Sequence, residues 1–255
     1  MQDSQACPEV KISKNKGVMT VTLSRPAKKN ALNQAMYEAL IKACHEVDED
    51  ETLHCLYLNA QGADFCAGND IMDFVTQLSA HKDMAHMPVF RFLKALCFFK
   101  KPLIVAVQGR AIGIGTTLLL QADHVVAAQG CQLSVPFVKL GLVPEAGSSL
   151  LLRQRIGHAR AFEWISTGRA MLSDEALHLG LVNQVCPEEV LYDIGLNKAH
   201  YLTTLSSKSL MATKALMRDN EALWAHIQAE AEIFFELLKS PEAMSAFQSF
   251  LQPKS

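Results

Sequence analysis

Glu145 stands in Gly141-Leu142-Val143-Pro144-Glu145-Ala146-Gly147-Ser148-Ser149, a lone carboxylate among apolar and small residues. A carboxylate kept from water holds its proton more tightly, which suits a general base working near neutrality. A helix starting just after it would pull the other way. A first-turn helix glutamate open to water fits the same letters, so both readings stand on these residues alone. Two glycine-bearing segments upstream offer complementary chemistry. In Phe65-Cys66-Ala67-Gly68-Asn69-Asp70-Ile71 the small Ala67 and Gly68 let the backbone approach a ligand, and a helix follows. Unpaired N–H groups there can hold an oxyanion, and an ordinary strand–helix turn fits equally. In Gly109-Arg110-Ala111-Ile112-Gly113-Ile114-Gly115-Thr116-Thr117 three glycines again precede a helix. The segment lacks the Lys-Ser/Thr ending of a phosphate loop, and no acidic ribose partner follows at about 20 residues. Backbone donation to a carbonyl fits better, one donor from each loop forming an oxyanion hole.

Alternating elements must position these segments. Residues 10–13 and 18–23 flank Lys16-Gly17 and read as a hairpin ended by Arg25-Pro26. Asn33 caps a helix over 34–47, with Met36, Leu40, Ala43 and Val47 at helical spacing. Strands are expected at 53–59, 103–107, 124–127, 132–135 and 182–185. Helices are expected after the first loop up to Phe99, then at 116–122, 148–155, 158–167 and 173–179, and from Pro187 onward. Residues 109–115 read as a glycine-punctuated turn. The chain is therefore α/β, with a core over 1–190 and a helical lobe over 191–255 forming one functional unit.

Hydrophobic residues make up 49% of the 255 and charged residues 20%, enough for a sizeable core. A net charge of -2 gives no pull toward nucleic acid. Seven cysteines, an odd number without CxxC spacing, read as buried thiols in a reducing compartment. Nine histidines without HExxH spacing give no metal site. The polar N-terminus carries no leader pattern, no apolar run reaches the ~18 residues of a membrane span, and the C-terminal Gln-Pro-Lys-Ser is no peroxisomal address, so a cytoplasmic protein is expected.

Taken in order, these segments resemble the crotonase (enoyl-CoA hydratase/isomerase) family over roughly residues 10–250. The resemblance includes Ser24-Arg25-Pro26 with Asn30-Ala31-Leu32-Asn33, the two glycine loops, Lys101-Pro102-Leu103-Ile104, Ala122-Asp123, Gly168-Arg169 and Gly180-Leu181-Val182. It implies a spiral of ββα turns with a C-terminal helical trimerisation lobe, and a homotrimer or a dimer of trimers. It implies an acyl-CoA substrate whose thioester oxygen is held by the backbone N–H groups of Asn69 and Ile114, flanked by Ala67, Gly68, Asp70, Ile71, Gly113 and Gly115. Arg25, Lys28, Ala31 and Leu32 match the family's CoA contacts, with Lys28 and Lys29 near phosphates. Phe247, Phe250 and Lys254 match positions that cover a neighbouring subunit's CoA. Ile71, Met72, Phe74, Phe137 and Leu142 are expected to line the acyl pocket or to serve as plain core.

Hydratases of that family carry two glutamates where this chain has Thr117 and Phe137. The Pro-Glu-Ala segment around Glu145 is instead similar to the peroxisomal-type 3-enoyl to 2-enoyl-CoA isomerase branch, in which one glutamate shuttles the proton. The resemblance implies no metal or redox cofactor. Other acids near the loops have structural readings: Asp70 and Asp73 at the helix start, Asp64 near the first loop, Asp123 in a structural bond, and Glu163 in an ion pair near Arg160. A hydratase, a dienoyl-CoA isomerase or a catalytically silent CoA-binding module are the rival expectations.

Overall fold

The computed structural model describes residues 7–80 and 84–251. Strands β1 (Val10–Asn15) and β2 (Val18–Leu23) form the expected antiparallel hairpin, turned by Lys16 and Gly17, both at positive φ. Helix α1 (Gln34–Glu49) starts at Asn33, whose side chain accepts the Met36 N–H at 2.9 Å. Strand β3 (Cys55–Ala60) follows, then α2 (Ile71–Ala80), α3 (Pro88–Cys97) and β4 (Leu103–Val107).

The segment read as a plain glycine turn contains β5 (Arg110–Ile112), after which α4 (Ile114–Thr117) begins. Strands β6 (His124–Ala128) and β7 (Gln132–Ser134) repeat the pattern. Then come α5 (Ser148–Ile156), α6 (His158–Thr167), the two-residue β8 (Met171–Leu172), α7 (Ser173–His178) and β9 (Gln184–Cys186). The chain closes with α8 (Glu188–Thr203), α9 (Ser207–Met217), α10 (Asn220–Leu237) and α11 (Pro241–Leu251).

Two sheets result. The larger runs β1-β2-β3-β4-β6-β9, parallel except for the first pair. The smaller runs β5-β7-β8. A long strand, a short strand and a helix thus recur, each turn stacking on the last. Central strands such as β4, Leu-Ile-Val-Ala-Val, are buried throughout, because both faces are covered. One face, including Leu56, Leu58, Val105 and Val107, enters the main core. The other, including Cys55, Tyr57, Ile104 and Ala106, packs under α8.

One close backbone approach and one buried lysine tie neighbouring segments together near the loops. Gly109, at φ 57, passes so close to Ala63 that a Cβ would lie 1.8 Å from its carbonyl oxygen. Lys101 reaches inward and its Nζ donates to the carbonyls of Val47, Asp50 and Leu53 at 2.7–2.8 Å, closing the end of α1 against β4. Gly109→Ala should therefore cost about 3 kcal/mol or more of stability, combining a left-handed residue with a steric clash. The check is the chemical-denaturation midpoint, which should drop far below that of the parent protein.

Candidate active site

The two glycine loops are sewn together by main-chain bonds. Cys66 N–H donates to the Arg110 carbonyl at 3.1 Å, and Ile112 N–H donates to the Cys66 carbonyl at 2.9 Å. A Cβ on Gly115 would lie 2.6 Å from the Cys66 oxygen, and one on Gly68 3.2 Å from the Ile112 oxygen. Only glycine permits that approach at Gly115, since the opposing atom is backbone. Asp64 reinforces the seam with a bidentate pair to Arg110, both distances 2.7 Å.

The expected donors sit at the ends of this seam. Leu32 N–H donates to the Gly68 carbonyl and Asp70 N–H donates to the Leu32 carbonyl, each at 2.8 Å, so the Leu32–Asn69 bridge leaves the Asn69 N–H out. Ile114 opens α4 behind Gly113, whose φ of 55 and ψ of -121 belong to glycine. Among the described residues neither the Asn69 nor the Ile114 N–H has a protein acceptor. Tyr37, buried on α1, donates its hydroxyl to the Asn69 side-chain oxygen at 2.5 Å. It fixes that loop from behind and was not singled out from the sequence. Its place on the buried face of α1, next to Met36, is the signal that could have found it.

Glu145 lies in the turn before α5, 8% exposed. The Thr117 hydroxyl, one helical turn after Ile114, donates to its Oε1 at 2.6 Å. Burial lifts the Glu145 carboxyl to a pKa of about 8; the Thr117 bond pulls it down and the nearby Glu230 charge pushes it up. The open-water reading of Glu145 is thus replaced: the residue precedes the helix rather than entering its first turn. The Tyr37 phenol is itself raised, first by burial and then in part by the charges of Cys66 and Glu145. Tyr37 thus holds Asn69, and Thr117, three residues after Ile114, holds Glu145, whose charge is felt at the Tyr37 phenol.

The other acids are engaged elsewhere. Asp70 accepts the Asp73 N–H at 3.2 Å and pairs with Arg25 at 2.7 Å, while Asp73 accepts the Gln34 N–H. Asp123 accepts the Leu103 N–H and pairs with Lys214 at 2.7 Å. Glu163 pairs with Arg169, not with the nearby Arg160, because left-handed Gly168 folds the chain back after α6. Among the described residues Glu145 has no ion-pair partner.

Arg25, matched to CoA, is tied to Glu9, Asp70 and the Ala31 carbonyl. Lys28 and Lys29 stand exposed on the same edge. Of the expected acyl-pocket residues, Phe74, Phe137 and Leu142 are buried, Ile71 is half-buried, and Met72 is 65% exposed. Phe137 faces Gly113 at 3.9 Å from a notional Cβ, and Phe234 of α10 packs edge-on against both Phe74 and Phe137 at 6.4 Å. The side chains of Phe247 and Phe250, and Lys254 altogether, lie outside the described residues. A separate cavity of about 530 Å³ is lined by Arg155, Lys214 and Arg218 and includes neither loop nor Glu145. No group of three metal-ligating side chains occurs among the described residues.

The family profile described as Enoyl-CoA hydratase/isomerase matches residues 13–254. The chain is 33% identical over 246 residues to the 1,2-epoxyphenylacetyl-CoA isomerase of Escherichia coli K12, covering 94% of each protein. It is 30% identical to enoyl-CoA delta isomerase 2 of Rattus norvegicus, covering 98% of this chain and 65% of that protein. The solved structure of Pseudomonas aeruginosa OdaA superposes with a TM-score of 0.92 at 36% identity, covering 96% of this chain and all of that one (100%).

Because the folded-state pKa of Glu145 is raised, its contribution favours the fold below its ordinary value of 4.5 and is lost as pH climbs toward 8. Glu145→Gln should match the parent stability at pH 5 and exceed it at pH 9 by on the order of 3–5 kcal/mol. Thermal melts of both proteins at the two pH values would check this.

Proposed function

This chain belongs to the enoyl-CoA hydratase/isomerase family, and on that premise we propose that it is an acyl-CoA double-bond isomerase converting 3-enoyl-CoA to trans-2-enoyl-CoA. The observation that carries the reading is the Thr117–Glu145 bond: a hydroxyl stands where a second carboxylate would be, so one buried acid serves the site. Hydration needs one group to activate water and another to manage the α-carbon proton, and Thr117 and Phe137 supply neither carboxylate.

In this reading the thioester oxygen accepts hydrogen bonds from the N–H groups of Asn69 and Ile114. Glu145 takes a proton from C2, and the electron pair spreads over C2, C4 and the thioester oxygen as a dienolate. Each oxyanion donor lowers that barrier by on the order of 3 kcal/mol. Protonated Glu145 then delivers the proton to C4, and the double bond lies between C2 and C3. One proton leaves and one returns, so the step balances without metal, oxidant or reductant.

The raised carboxyl suits both halves of this exchange, because a pKa of about 8 lets Glu145 hold a proton as readily as it gives one near neutrality. The name of the rat relative, an enoyl-CoA delta isomerase, supports the same chemistry. We assign to the same proposal a cytoplasmic protein of fatty-acid β-oxidation, with no nucleic-acid or membrane partner. We also assign it a homotrimeric assembly or a dimer of trimers, with which the 90% exposed Leu216 at the end of α9 is consistent. No described helix is long and apolar enough to cross a membrane.

With 3-hexenoyl-CoA, absorbance of the conjugated thioester should rise in the parent protein, and Glu145→Gln should slow turnover roughly 10³-fold. Equal turnover in the variant, or none in the parent, rejects the isomerase reading. Addition of water to crotonyl-CoA would support a hydratase instead. The base must be ionised, so kcat/KM should climb with pH and level off above about 8. Thr117→Val removes the bond that lowers Glu145 and should carry that rise to higher pH.

A further inference from the structure

We propose that Glu230 is a positioning residue for the base: from α10 it grips the turn that carries Glu145 and holds that carboxyl in place. The catalytic consequence rests on the isomerase reading, whereas the structural consequence does not.

The turn needs holding. Ala146 and Gly147 are both left-handed, at φ 62 and 74. The first of these costs an alanine about 1–2 kcal/mol, and such a conformation persists only where its surroundings impose it. On one side Gln121 donates its amide to the Ala146 carbonyl at 3.0 Å. On the other, Glu230 Oε2 accepts the Gly147 N–H at 2.7 Å, while Oε1 accepts the Ser149 N–H at 2.9 Å and the Ser149 hydroxyl at 2.5 Å. These are the donors that the start of α5 would otherwise leave unpaired.

A plain cap would come from residue 147 itself, as a serine or an aspartate. That route is strained, because residue 147 sits at φ 74, where a side chain is disfavoured, and a Cβ there would also press on Leu223 Cδ1 at 2.6 Å and Ile227 Cγ1 at 3.3 Å. Helix α10 lies against the turn and supplies the cap as a carboxylate, only 6% exposed. A buried acid is an expensive way to finish a helix. It becomes intelligible when its effect on Glu145 is counted, since its negative charge raises the proton affinity of the base.

The titratable groups around this arrangement are few. His226, on the same helix, lies 3.5 Å from Glu230 Oε1 and 2.8 Å from the Ser149 hydroxyl. Glu145 faces it from the turn, and farther along α10 Lys94 of α3 covers the Trp224 ring. Burial pushes the Glu230 carboxyl up, and its Ser149 and Gly147 donors and His226 draw it back.

The test is Glu230→Gln, which keeps the size, removes the charge and turns an NH2 toward one of the two N–H donors. With 3-hexenoyl-CoA, kcat should fall on the order of 10–100-fold with KM nearly unchanged, as expected for a misplaced base. The acidic limb of kcat/KM should move to lower pH, opposite to Thr117→Val. Glu230→Asp keeps the charge on a shorter arm; it should hold the limb in place while losing kcat, and it serves if the glutamine variant does not fold. An isotope-edited infrared titration of the Glu145 carboxyl, which needs no turnover, should show its midpoint lowered in Glu230→Gln. A parent protein without isomerase turnover would remove the catalytic reading and leave that titration to decide. A variant with lower melting temperature but parental kcat, limb and infrared midpoint would make Glu230 an ordinary helix cap and overturn the inference.

Discussion

A carboxylate forced to live without water is the constraint around which the site is arranged. Glu145 is buried beside Pro144 and Ala146, and among the described residues its carboxylate accepts one hydrogen bond, from the Thr117 hydroxyl. Pairing with an arginine would relieve the burial but would also pin the group as an anion with little appetite for a proton. The chain spends its cations elsewhere: Arg25 on Asp70 and Glu9, Arg110 on Asp64, Lys214 on Asp123. What remains at Glu145 is a weak acid near neutrality, costly to the fold and suited to the proton transfer proposed for it. Stability lost at one residue is the counterpart of the reactivity gained there.

That weak acid is useful only beside donors already in place. The spiral achieves this with main-chain contact, since the Cys66–Ala111 bridge and the close approach of Gly115 to Cys66 tie the two loops together, while the Leu32–Asn69 bridge ties the first loop to the segment before α1. A donor that need not reorganise when charge develops is worth more than a flexible one. Side chains act as braces to this backbone: Tyr37 on Asn69, Arg110 across the seam, Asp70 at the start of α2. The buried parallel strands beneath them are the rigid floor from which the loops project.

Long, periodic elements were legible from the letters. Strand β4 and helix α6 fall at the expected residues, because a continuous apolar run and a 3.6-residue stripe are strong signals. Strands β5 and β8 were not, since three and two residues carry no period, and their pairing depends on partners far along the chain. The same distance hid half the site. The loop glycines and Glu145 stood out in local composition, which left a plain turn and a water-facing glutamate equally open until the family resemblance singled them out. Tyr37 and Glu230 did not, because each meets its partner only through the fold. For Glu230 a trace exists: it lies on the buried stripe of Leu223, Ile227, Ala231 and Phe234, a charge where the helix should be apolar.

Thr117 shows how little separates one chemistry from another on this scaffold. A carboxylate at that position would meet Glu145 at hydrogen-bond distance, and two such acids share protons, one driven up and the other down. The pair could then divide labour between water and the α-carbon. A hydroxyl in the same place can donate but does not ionise, so it draws the Glu145 pKa down against the larger effect of burial and adds no second base. At position 137 a phenylalanine packs against Phe234 and faces Gly113, and its ring cannot act as an acid or base toward water. In the proposed reaction the donors that would hold an enolate are kept, and the fate of the proton narrows to the single acid that would remove it.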